Sequence, residues 1–309
     1  MQYEEALRIQ RETKDERGVA SDLDDLGNVL ESTGDLAGAA EVKEQALQIF
    51  RRLNNRYGEE TTLLNLGEVA LVQGRLATAE ERFEQAMALM AQSGDLRGRG
   101  YCLLGLGKIL LTQDQLTEAR KRMAESIALR QEIGDVATIA ESRLQLAKVA
   151  LEQGQTQEAE SLARAASEAL DGQKAVSDAA EAYALLALAL LAEGKNADAQ
   201  ISSGHALALS GQSDDVMARF EASLAAASVQ ANAGKIDTSA KALEAVRLKA
   251  QGYGFAEYPL EARLSLAQLE LKSGKGTVAR SRFRDLENDA RNKGFLLIAR
   301  KASTEMNAH

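Results

Sequence analysis

The segment Leu66–Ala86, LGEVALVQGRLATAEERFEQA, decides the fold. Leu66, Val69 and Ala70 before Gly74, and Leu76, Ala79, Phe83 and Ala86 after it, repeat at helical spacing, so the segment reads as one helix ending, a tight turn and a second helix beginning. The turn recurs every 40 residues, at Gly34, Gly74, Asp114, Gly154, Gly194, Gly234 and Gly274. Five positions after each turn stands a small residue: Ala39, Ala79, Ala119, Ala159, Ala199, Ser239 and Ala279. Seven positions before it stands another: Gly27, Gly67, Gly107, Ala147, Ala187, Ala227 and Ala267. Small residues at fixed intervals mark places where two helices must approach closely, and a period of this length is the mark of a stacked array. A second stop, at Asn54, Gly94, Gly134, Asp214, Gly254 and Gly294, supplies residues that tolerate the left-handed backbone of a helix end. Each period is therefore a helical hairpin.

Composition agrees. One Pro, no Trp and 4% aromatic residues suit helices and leave little material for a sheet. A single core of 309 residues would be at its size limit, but a stack escapes it because each unit buries its face only against its neighbours. The expectation is all-α, one domain over 1–309: a half repeat at 1–17, repeats at 18–57, 58–97, 98–137, 138–177, 178–217, 218–257 and 258–294, and a capping helix at 295–309. Tyr3 and Ala6 fall in register with the second helix of a unit, which leads us to expect the C-terminal part of a longer protein. In the capping helix, Phe295, Leu297, Ile298 and Ala302 are expected to face the stack, and Arg300 and Lys301 to face water. Asp171-Gly172 is expected to end its helix two residues early, with a polar connection through Ser177, Gly204 to interrupt the next second helix, and Gly211 to end that helix ahead of schedule, which makes 172–211 a candidate hinge.

The set Leu66, Gly67, Gly74, Ala79, Phe83 and Ala86, recurring across residues 18 to 294, resembles the tetratricopeptide signature. The longer period is similar to that of kinesin light chains and of large bacterial transcription regulators of the maltose-regulator type. The resemblance implies a right-handed α-solenoid of about seven hairpins plus a C-terminal capping helix. It also implies a concave groove lined by first helices, a protein or peptide as partner, and a DNA-binding or kinase module upstream.

On that register the groove is readable, because residues at offsets of 3, 4 and 7 share a helix face. Leu64, Leu104 and Leu144 form one row, Leu111 and Leu151 belong to a second, Asn28, Glu68, Lys108 and Lys148 lie between them, and Tyr101, Glu141 and Glu181 lie above. The expected groove has an apolar floor and a rim that turns acidic toward its C-terminal half, suited to an amphipathic helix or an extended peptide carrying basic residues. The leucines can equally pack neighbouring first helices together. Tyr101, Lys108 and Lys148, long and polar-tipped, are the leading contact candidates. Some tetratricopeptide proteins grip a C-terminal carboxylate with Lys, Asn and Arg; here Asn28, Lys108 and Lys148 match, but leucines at 64, 104 and 144 occupy the further clamp positions. The aromatic segment Tyr253–Pro259 is expected to staple the last two repeats together.

Other classes are disfavoured. A formal charge of −9 argues against sequence-independent nucleic-acid binding. Cys102 is the only cysteine, which excludes an internal disulfide and a paired-thiolate zinc site, and a reducing cytoplasm is the expected compartment. His205 and His309 are the only histidines, so no metal, cofactor or catalytic set is expected. Gly105-Leu106-Gly107-Lys108 falls inside a helix and lacks the spacing of a phosphate loop. Asp24-Asp25 is expected near a helix start, where it would favour the dipole. The longest apolar run, Ala184 to Ala192, is too short for a membrane span, which takes ~20 residues. Two alternative functions remain: a peptide receptor whose superhelix changes curvature, and self-association through Met1–Thr13.

Overall fold

The computed structural model describes residues 15–307, without the side chains of residues 136 and 137. The described residues form helices joined by short turns, with no strand among them. Seven hairpins follow one another: α1 (Glu16–Thr33) with α2 (Leu36–Arg52), α3 (Arg56–Val72) with α4 (Leu76–Ser93), α5 (Leu96–Thr112) with α6 (Leu116–Glu132), α7 (Val136–Glu152) with α8 (Thr156–Gly172), α9 (Val176–Ala192) with α10 (Asn196–Ser210), α11 (Val216–Asn232) with α12 (Ile236–Tyr253), and α13 (Glu257–Lys272) with α14 (Gly276–Asn292). The helix α15 (Leu296–Asn307) closes the stack. This is a helical-repeat solenoid.

The repeat is held by packing at the small positions. Ala39, Ala79, Ala119, Ala159, Ala199, Ser239 and Ala279 are all fully buried between helices. At Gly67 the constraint is a close approach: a Cβ would sit 2.7 Å from Cε1 of Phe83, itself 0% exposed. Several helix starts are capped by a side chain, as Asp35, Asn55 and Asp95 accept from the amides of Gly38, Gly58 and Gly98.

The left-handed positions follow the period more strictly than residue type. Asn54, Asp114 and Lys174 adopt positive φ beside the glycines. Lys174 therefore corrects the reading of Asp171-Gly172: α8 runs to Gly172 and turns at its scheduled place, and α9 starts at Val176 with no added connection through Ser177. Gly204 does not interrupt α10, which is continuous through it; a glycine inside a packed helix costs stability without breaking it. Gly211 does end α10 early, and Asp214, expected to turn left-handed, does not. Asp24 lies mid-helix and buried, bonded by the Asn65 amide, and so is no helix-start residue.

Successive hairpins wind until the first repeats meet the last. α1 touches α11, and α5 touches α15. The Ala256 N–H donates to the Val72 carbonyl across 3.0 Å, joining residues 184 apart in sequence. Gly74, at φ +74°, is where Ala256 arrives: a Cβ there would sit 2.6 Å from Cβ of Ala256. Leu36 belongs to the same apolar cluster as Val216, Phe220 and Phe255. Arg300 and Lys301 lie at the surface as expected, and from there they reach back to Asp114 and Glu152. The aromatic segment does staple neighbouring repeats, since Phe220 meets Phe255 and Tyr258 at 5.7 and 5.3 Å, and it also forms this seam.

Replacing Gly67 by Val should lower stability by about 1–3 kcal/mol, because the Phe83 ring has nowhere to go. Gly204→Ala, which meets nothing within 4 Å, should raise it by roughly 0.5–1 kcal/mol. Urea denaturation measures both, and effects of the same sign would contradict this packing.

Candidate functional site

Because the solenoid closes, its concave side is a channel. The first helices line it around a partly open cavity of about 550 Å³. Its apolar floor is Leu64, Leu71, Leu104, Leu111 and Leu144. Leu104, Leu111 and Leu144 also pack into the cores between repeats, so both readings of these leucines hold at once. Above them stand Tyr101, Glu68, Lys108, Lys148, Glu141 and Glu181, all lining the same space. Two of the residues read as groove candidates lie elsewhere. Asn28 is on the exposed side of α1, where its carbonyl oxygen accepts from Lys43. Leu151 packs against the cluster of Ala150, Ala159 and Ala189.

The channel also contains residues that the register did not single out: Asn65, Asp178, Asp215, Met217, Glu257 and Tyr258. Asp178, Asp215 and Glu257 sit in the first turn or at the cap of α9, α11 and α13, where winding tips the helix starts inward. Eight carboxylates and two lysines line the cavity. Both lysines are already answered: Lys108 Nζ meets Glu68 at 3.1 Å and Lys148 Nζ meets Glu221 at 2.8 Å. Burial disfavours the charge on each, but Glu68 for Lys108, and Glu221 with Glu181 for Lys148, more than offset it and hold the ammonium groups protonated.

For other carboxylates in and around this space the nearby cations, Lys43 for Glu31, Lys148 for Glu181 and Arg130 for Glu141, offset burial only in part. Burial pushes Glu31 and Glu181 of the lining up to about 7 and about 8, and Glu261, outside the lining, up to about 8, and nearby carboxylates add to each shift. Asp178, Asp215 and Glu257 are raised by burial as well, although Asp215 accepts the amides of Met217 and Ala218. On the opposite wall Tyr101 is held in place: the fully buried Arg130 guanidinium lies 4.3 Å from the centre of its ring and also contacts Glu141 at 3.3 Å. Burial raises the Tyr101 phenol to about 12, so it presents a neutral hydroxyl. A second space of about 240 Å³, lined by Leu191, Ser228, Ala231 and Gln268, continues the wall toward the C-terminus.

Among the described residues no cluster of His, Cys, Asp and Glu has metal-binding geometry, and no helix is long and apolar enough to cross a membrane. Cys102 is buried, its thiol pushed up to about 12 by that burial. His205 stacks edge-on against Tyr183 at 5.3 Å.

Comparison with known proteins supplies the family. The family model of the MalT-like TPR region matches residues 2–244. The chain belongs to that family. No sequence match to a curated protein is found. Among solved structures, this MalT-like TPR chain is similar to aspartyl phosphate phosphatase F from Bacillus subtilis (TM-score 0.65, 13% identity, 92% of this chain and 73% of that one). It is also similar to NprR in complex with its cognate peptide NprX (0.61, 12%, 86% and 80%). A third is a Rap protein complexed with competence and sporulation factor (0.58, 11%, 94% and 97%). At these identities the likeness is one of fold.

The raised carboxyls give the MalT-like TPR solenoid a pH dependence of definite sign. A carboxyl that keeps its proton to higher pH when folded adds stability below its ordinary value of 4.5 and loses it as pH rises through about 8. Urea midpoints should therefore fall from about pH 5 to about pH 8, and Glu181→Gln with Glu261→Gln should flatten the slope. A midpoint that rises over this interval would contradict the shifts.

Proposed function

We propose that this chain is a non-enzymatic interaction module that binds an extended peptide carrying basic residues inside its channel. The observation that carries the reading is the imbalance within the cavity: both lysines are paired, while Asp178, Glu181, Asp215 and Glu257 face a confined space with no basic partner among their hydrogen bonds. Tyr101 and Tyr258 add aromatic surface on opposing walls, suited to the stems of Lys or Arg and to peptide groups. The size of the space favours an extended segment over a helix. An α-helix with side chains is roughly 10–12 Å across, whereas about 550 Å³ matches a ligand of a few residues. A C-terminal carboxylate clamp does not suit this wall, since Lys108 and Lys148 are neutralised.

The peptide complexes of NprR, and of the Rap protein with competence and sporulation factor, support a peptide as the ligand class. Membership of the MalT-like TPR family supports a place in a larger bacterial regulatory or signalling protein, working in the cytoplasm. The third reading, self-association through Met1–Thr13, falls outside the described residues.

Fluorescence anisotropy with two labelled heptapeptides, one alternating Lys and Leu and one alternating Glu and Leu, tests the proposal. The basic peptide should bind and the acidic one should not. At pH 9, above the value of about 8 to which Glu181 keeps its proton, Glu181→Gln with Glu257→Gln should weaken binding about tenfold, the equivalent of ~1.4 kcal/mol. Equal binding of the two peptides, or no loss in the variant, would overturn the assignment.

A further inference from the structure

The contacts that close the channel are of a different kind from those that build the repeats. Within and between neighbouring hairpins the interface is continuous apolar packing with fully buried alanines. Among the described residues the seam has one backbone hydrogen bond, from Ala256 to Val72, apolar contacts at Leu36, of Phe295 with Gly74 and of Leu76 with Gly294, and the ion pairs of Arg300 with Asp114 and Lys301 with Glu152. Arg300 and Lys301 are 44% and 38% exposed at these pairs and their partners Asp114 and Glu152 22% and 18%, so each pair is partly solvated and its net contribution modest. Against these stands the crowding of like charge that closure brings about, with Glu181, Glu221 and Glu257 drawn around one space.

The sequence carries a mark of the same seam. Asp114 is the one break in the glycine series at the first turns, and it is the residue that Arg300 Nε meets at 2.7 Å. The two glycines before it in that series are approached from across the seam, Gly34 by Tyr253 and Gly74 by Ala256. The later ones, Gly154, Gly194, Gly234 and Gly274, meet nothing within 4 Å. The first turns at Gly34, Gly74 and Asp114 thus form one edge, and Tyr253, Ala256 and Arg300 form the edge that docks on it.

We propose that this seam is a releasable latch: the solenoid passes between a closed ring, in which the channel is enclosed, and an open superhelix, in which it is accessible from the side. The repeats stay folded in both states, since each hairpin keeps its neighbours and only contacts between distant repeats are lost. A cationic occupant relieves the crowding of carboxylates and so favours the closed ring. That last coupling rests on the reading of the channel as a peptide site; the latch itself does not.

Amide hydrogen exchange reads the latch without any ligand. The Ala256 amide is protected by its bond to Val72, whereas the adjacent Phe255 amide bonds locally to Ala250 and serves as the control. In the full chain, Ala256 should exchange faster than Phe255 and faster still at high salt. Asp114→Arg should accelerate Ala256 by at least about fivefold with little change at Phe255, and Asp114→Arg combined with Arg300→Asp should restore it. Exchange of Ala256 in step with Phe255 and with the buried helices, unmoved by Asp114→Arg, would overturn the latch. Because Asp114→Arg puts a larger side chain on a partly buried left-handed turn and can perturb folding, Arg300→Gln provides the same reading from the other edge. Adding the alternating Lys and Leu heptapeptide should slow Ala256 in the wild type. If that peptide leaves Ala256 unchanged while the variants accelerate it, the latch stands and the coupling to a cationic occupant is rejected.

Discussion

Everything in this molecule depends on how closely the two helices of each hairpin approach. Gly67 under Phe83 and the buried series from Ala39 to Ala279 set that distance, and its repetition every 40 residues sets the rotation from one hairpin to the next. A larger side chain at one of these places would push a hairpin outward and change where the last repeat lands. Because the rotation accumulates over seven hairpins, a small local geometry decides whether the solenoid misses itself or closes. Here it closes, with Ala256 reaching the Val72 carbonyl.

Closure changes the electrostatics as much as the shape. In an open groove the carboxylates of α7, α9, α11 and α13 would each be hydrated. Brought around one space they lose water and repel each other, which is why Glu181 and Glu261 hold their protons well above the ordinary range. Lys108 and Lys148 offset part of the charge, and Lys148 does so by spanning from α7 to Glu221 on α11. The channel is thus short of fixed positive charge by construction; protons on these carboxyls make up the difference, and a cationic ligand can take their place.

The period made much of this legible. The turns, the small residues and the inner positions of Tyr101, Lys108, Lys148 and Leu104 all follow from a local pattern that repeats. What the pattern could not show is what depends on distant parts of the chain. The inward tilt that brings Asp178, Asp215 and Glu257 into the channel belongs to the superhelix, and the pairing of Arg300 with Asp114 joins residues 186 apart in sequence. Asp114 in a series of glycines was the one visible trace of it. Gly172 and Gly204 misled for the opposite reason: their local preference for a break is outweighed by the packing of neighbouring repeats, so that Lys174 takes the left-handed turn while α10 runs on through Gly204. Asn28 has the right offset for the groove, yet its side chain is claimed by Lys43, whose burial between α1 and α2 leaves that amide as a partner.

The account turns on the two ends of the solenoid being neighbours in space. Energy transfer between dyes at Thr33→Cys and Gln251→Cys, with Cys102→Ser to remove the native thiol, measures this in solution. Residue 33 adjoins Gly34, which lies against Tyr253, so a dominant population of high transfer efficiency is the predicted result. A single population of low efficiency, with the edges held far apart, would contradict it.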